Sequence, residues 1–171
     1  MILSSSLAVQ RGKRSALLAL VGCVWLCAGI LVYLADRPAS HAVWIPSIAA
    51  FGGRNLFGAL GQWLPSLVHP LAFSLLTAAV LKPSARAGWS ACAFWGAVNG
   101  AFEFGQHPAL ASTWSAFLHA GAGDWAISRH LLNYFLHGTF DLYDLCAATL
   151  GAISAGTFLQ CFEYFQERCH G

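Results

Sequence analysis

Asn99, Glu103 and Gln106 follow one another at spacings of four and three residues, which puts all three on one face of a helix. The residues around them are apolar, so Glu103 is a carboxyl where an ionisable group is costly and marks a site by default. Such a carboxyl is neutral, paired, or open to water in a cavity. His69 lies inside a second apolar run, and Asp141 and Asp144 open a third, with His137 one turn before them. Carboxyl, amide and imidazole groups brought to one depth can hold a polar head group by hydrogen bonds. They can also do acid–base work, with Glu103 moving a proton while His69 and Asp144 orient water, which is the constellation of an intramembrane hydrolase. The candidate ligand-binding set is Glu103, Gln106, His69, Asn99, Asp141 and Asp144, and the candidate catalytic residues within it are Glu103, His69 and Asp144. Each has a plainer reading. Asp141 can be an N-cap with Asp144 meeting the helix dipole, His69 can mark the membrane interface, and Gln106 can be a boundary residue.

Zinc is the one metal these residues suggest, with His69, His137 and Asp141 as its ligands. No H-E-x-x-H is present and no helical pair of histidines stands four apart, so the chain is expected to hold no cofactor. The cysteines contain no C-x-x-C, and all but Cys169 lie in apolar runs, where they read as small buried hydrophobes.

What must position these residues is a membrane bundle. Hydrophobic residues make up 57% of the chain and charged residues 9%, far below the roughly one quarter of a soluble domain. A soluble fold of this composition would expose large apolar patches. Net charge is +2 with no basic stripe, which argues against nucleic acid as a partner. Apolar runs at about 16–35, 64–81, 88–104 and 142–162 predict four transmembrane helices in a single all-α integral membrane domain over residues 1–171. The second run carries Pro65, expected in its first turn. Leu20-Val21-Gly22-Cys23 resembles a lipoprotein cleavage box, but the apolar run continues to Leu34, so the first helix is expected to stay uncleaved.

Arg11, Lys13 and Arg14 precede the first run, which favours cytoplasmic N- and C-termini and puts the polar set near the outer surface. Two outer segments, Ala42 to Trp63 and His107 to Phe140, are too interrupted to span and too apolar for free solution. They predict helices in the interface, one of them around Ile127 to Leu136. Gly96 and Gly100, and the small residues around Gly151, form faces for close helix packing within the monomer or between copies of a homo-oligomer.

His69 in "LVHPLAFSLL", Glu103 and Gln106 in "EFGQ", and Asp144 and Gly151 in "GTFDLYDLCAATLGA" together resemble the VanZ-like family of small bacterial membrane proteins, named after a teicoplanin-resistance protein. The resemblance covers about residues 64 to 160. The chain departs from the family pattern at Gln62-Trp63-Leu64-Pro65, where an Asp-Lys pair is usual, and at Ala148, where an asparagine is usual. The family's arginine between Gln and Asp has Arg129 or His137 as its nearest counterpart. The resemblance implies a protein of the bacterial inner membrane acting near the cell envelope, with His69, Glu103, Gln106 and Asp144 as the shared polar set. The expected function is binding of a membrane lipid head group or a lipid-linked envelope precursor, with the hydrolase and a membrane scaffold or assembly subunit as the alternatives.

Overall fold

The computed structural model describes residues 2–36, 56–81, 85–122, 134–136 and 138–170, with no strand among them. The helices are α1 (Ile2–Asp36), α2 (Ala59–Val80), α3 (Ala85–Gly105), α4 (Pro108–Ala122) and α5 (Leu142–His170). Three are long and apolar enough to cross a membrane, through Gly12–Asp36 of α1, Ala59–Val80 of α2 and Leu142–Gln166 of α5. α3 has 21 residues, about 31 Å at 1.5 Å per residue, but its glycines, Asn99 and Glu103 make it less apolar.

α2 lies at the centre, packed against α1, α3 and α5, and α3 also packs along α5. Glycines set the register. Gly22 faces Leu76 and Gly29 faces Val68, so α1 and α2 are antiparallel; Gly88, Gly96 and Gly100 face Leu159, Ala152 and Leu145, so α3 and α5 are antiparallel too. A Cβ on Gly151 would run into the backbone carbonyl of Leu67 and the ring of Pro70, which is why only glycine lets α5 approach α2 so closely there. The glycine faces named from the sequence are therefore taken up within this chain.

The core is Leu18, Leu71, Leu75, Ala78, Cys92, Ala155 and Leu159. Large apolar side chains such as Leu20, Val24, Leu31, Phe94, Leu150, Ile153 and Phe158 face outward. Small residues inside and large apolar ones outside is the distribution a lipid solvent permits. The described cysteines follow it only in part. Cys92 is buried, but Cys23, Cys27, Cys146 and Cys161 are exposed, because a run that is apolar all round gives no cue to which side faces the core.

Several boundaries differ from expectation. α2 begins at Ala59, so Pro65 sits in its second turn rather than its first. The apolar run starts later because Gln62 is polar, yet Gln62 is exposed and costs the helix nothing. Asp36 helps fix the earlier start, its two carboxylate oxygens accepting the N–H of Phe57 at 3.1 and 3.2 Å, while Gly58 turns the chain at φ 55°. α1 and α5 run beyond the expected spans, to Ile2 and His170. In the second outer segment the described helix is Pro108–Ala122; of the helix expected around Ile127 to Leu136 only the turn 134–136 is described, and 127–133 lies outside. Of the first outer segment, residues 42–55 lie outside the described residues.

Among the described residues the bundle is polar at both ends, with opposite signs. Asp36, Glu103, Asp141 and Asp144 lie where α1 and α3 end and α5 begins, the acidic end; Lys13, Arg14, Arg86 and Arg168 lie at the other, the basic end.

Candidate functional site

Trp95 of α3 ties that helix to α2. Its indole stacks on Phe73 at 4.8 Å, and its Nε1–H donates to Thr77 Oγ1 at 2.9 Å. His69 continues the α2 face by one turn, stacked on Phe73 at 6.1 Å. His69 lies two residues past the Leu67 carbonyl that Gly151 approaches, nearly three turns, not one, below the start of α2. The longer helix moved the start, not the histidine.

Along α3 the shared face is turned inward. Cys92, Gly100, Glu103 and Gln106 are buried and Asn99 partly so, whereas Trp89, Ala93, Phe94, Ala97, Ala101 and Phe102 are exposed. Asn99 Nδ2 donates to the carbonyl of Trp95 at 2.9 Å, which leaves its second N–H and Oδ1. Glu103 and Gln106 are only 9% and 7% exposed. The Gln106 amide lies against Gly138.

Two of the acids take structural duties. Asp141 Oδ1 accepts the N–H of Tyr143 at 2.8 Å, so Asp141 is the N-cap of α5. Asp144 falls in the first turn of α5, where a carboxylate suits the helix dipole. Since Gly100 faces Leu145, one further turn of α3 brings Glu103 level with this first turn. Glu103 and the Asp144 turn therefore occupy one depth on α3 and α5, with Gln106 a turn beyond, whereas His69, beside the Gly151 approach of α5 to α2, lies about two turns deeper.

What closes this end was not legible along the chain. Residues 134–136 and 138–140 lie against the tip of α3, where two glycines allow a close fit. A Cβ on Gly105 would strike the Phe135 ring, and a Cβ on Gly138 would strike the Gln106 amide. Around them Phe102 stacks on Phe135 at 5.9 Å, Phe104 stacks on Phe140 at 5.9 Å, and His107 meets Phe140 edge-on at 5.2 Å. His107 also caps α4, its Nδ1 accepting the N–H of Ala109 at 3.3 Å. Glycines followed by aromatics were visible in the chain, but their pairing across some thirty residues was not.

At the basic end Arg14 meets Glu163 at 2.9 Å, both partly buried, with the guanidinium 5.5 Å from the Phe162 ring. Glu163 was not singled out by its sequence context; its one signal is a lone acid among residues of the opposite sign. No group of three or more His, Cys, Asp or Glu side chains placed to hold a metal occurs among the described residues, and His137 lies outside them. The arrangement offers a carboxyl, two amides and a helix-start carboxylate at one end of the bundle, groups that can form hydrogen bonds. No family model, curated protein or solved structure matches the chain.

Proposed function

We propose that the protein is a four-span bacterial inner-membrane protein of VanZ-like type, whose acidic end binds a membrane lipid head group or a lipid-linked envelope precursor. Counting α3 as the fourth span rests on its length, its packing along α5, and an outward face that is apolar from Trp89 to Phe104 apart from Ser90. An exposed apolar face with polar residues turned inward suits a helix in lipid. The basic end faces the cytoplasm by the excess of lysine and arginine there, so both termini are cytoplasmic and the acidic end lies at the outer leaflet.

The observation that carries the binding function is the burial of Glu103 and Gln106 at, or a turn beyond, the level of the start of α5. Burying these groups is costly. The test is lipid content after purification in mild detergent, by mass spectrometry, for wild type and Glu103→Gln. The reading expects about one retained lipid per chain in wild type and a loss in the variant at unchanged helicity. Equal lipid in both would contradict it.

A further inference from the structure

We infer that the basic end is a docking surface for anionic phospholipid, centred where Arg86 of α3 and Arg168 of α5 come close to one depth. The inference does not depend on the head-group reading of the acidic end. Its ground is charge that the chain leaves unbalanced at this end. α1 carries Arg11, Lys13 and Arg14 with no acid before Asp36, and α3 carries Arg86 with no acid before Glu103. The last turns of α5 add Arg168, against Glu163 and Glu167. Five basic residues therefore meet two acids, and Glu163 already pairs with Arg14 at 2.9 Å. Lys13, Arg86 and Arg168 are all exposed.

Depth turns this surplus into a surface. Gly88 faces Leu159 across antiparallel helices, so Arg86 comes level with the turn that holds Gln160 and Cys161. Arg168 stands further out on α5, but its guanidinium lies over the Tyr164 ring, 4.9 Å from the centroid. Its charge is thereby carried back one turn toward the bundle, within about a turn of the Arg86 backbone. Aromatic rings lie on either side in depth. Trp89 lies across Gly156, where a Cβ would strike the indole, and both Trp89 and Tyr164 are exposed. Such rings sit at head-group level, with the apolar body toward the chains and the N–H or O–H toward water. Beyond them α5 exposes Phe158, Ile153 and Leu150, a surface for acyl chains rather than for a soluble anion. A guanidinium takes a phosphate through parallel N–H donors, and basic clusters at the ends of membrane helices draw anionic lipid. A zwitterionic lipid offsets that attraction with its own cation.

Exposed contacts of this kind exchange with detergent, so added lipid, not retained lipid, reads them. The test is native mass spectrometry of the full chain in detergent, titrated with phosphatidylglycerol or phosphatidylcholine of the same acyl chains. Wild type is expected to bind phosphatidylglycerol more tightly. Replacing both arginines, Arg86→Gln with Arg168→Gln, is expected to weaken that binding by roughly thirtyfold, each basic residue being worth about fivefold at an anionic lipid surface. The double replacement by lysine, Arg86→Lys with Arg168→Lys, keeps the charge and should keep most of the affinity. Equal affinity of wild type for the two lipids would overturn the inference, as would phosphatidylglycerol binding unchanged by the glutamine replacements. An equal loss in the glutamine and lysine variants would also overturn it, because charge would then not be what holds the lipid.

Discussion

At the basic end Arg14 and Glu163, 18% and 17% exposed, meet at 2.9 Å across α1 and α5, with Phe162 beneath the guanidinium. At the acidic end Glu103 and Gln106 are buried more deeply, 9% and 7% exposed. Both ends place polar side chains among apolar helices, but the basic end joins two of them across α1 and α5, whereas at the acidic end Asp36 and Asp141 accept backbone N–H groups near the helix starts. The basic end therefore reads as a clasp holding α1 to α5, and the acidic end as the end where Glu103 and Gln106 are buried.

The largest effect should come from breaking what the two ends share. Gly151→Val drives a side chain into the Leu67 carbonyl, a backbone atom that cannot swing aside. Overpacking of this kind costs up to about 3 kcal/mol, well beyond the roughly 1 kcal/mol of helix propensity gained on replacing glycine. Thermal unfolding in detergent should drop sharply, and both ends should fail together. If Gly151→Val unfolds like wild type, the close approach of α2 and α5 is not the frame of the site.

A smaller effect should separate the ends. Glu163→Gln removes one half of a partly buried pair, between the small worth of exposed pairs and the several kcal/mol of fully buried ones, so about 1–2 kcal/mol. Lipid retention should not change. A double-mutant cycle with Arg14→Gln measures the coupling directly, and additive losses would show that the two side chains do not act as a pair.

A further loss of stability should come from Gly138→Ala, where the added methyl meets the Gln106 amide and the Tyr134 backbone carbonyl, a cost of about 1–3 kcal/mol. Its effect on lipid retention should be larger than that of Glu163→Gln, because it displaces a side chain of the site itself. Retention equal to wild type would mean that the 134–140 segment closes the end of the bundle without shaping what binds there.

The sequence made the membrane helices legible because bilayer thickness demands long apolar runs, and such runs need no knowledge of partners. The inward face of Asn99, Glu103 and Gln106 was legible for a related reason, since helical spacing alone puts the three together. The start of α2 was not. It is set by Asp36 and Gly58, which act across the chain rather than along it. The pairings Gly105–Phe135 and Gly138–Gln106 and the Arg14–Glu163 bridge were hidden for the same cause. Asp141 shows the reverse case: its plain reading as an N-cap is what the hydrogen bond to Tyr143 displays, whatever else its second oxygen does.

The most direct test of the account compares one carboxyl from each end in a single experiment. Wild type, Glu103→Gln and Glu163→Gln, purified side by side, would be assayed for retained lipid and for thermal stability. The account predicts that Glu103→Gln loses the lipid with stability within about 1 kcal/mol of lipid-free wild type, and that Glu163→Gln keeps the lipid while unfolding earlier. Lipid retained equally by all three, or lost equally from both variants, would contradict the claim that Glu103 serves binding and Glu163 only holds.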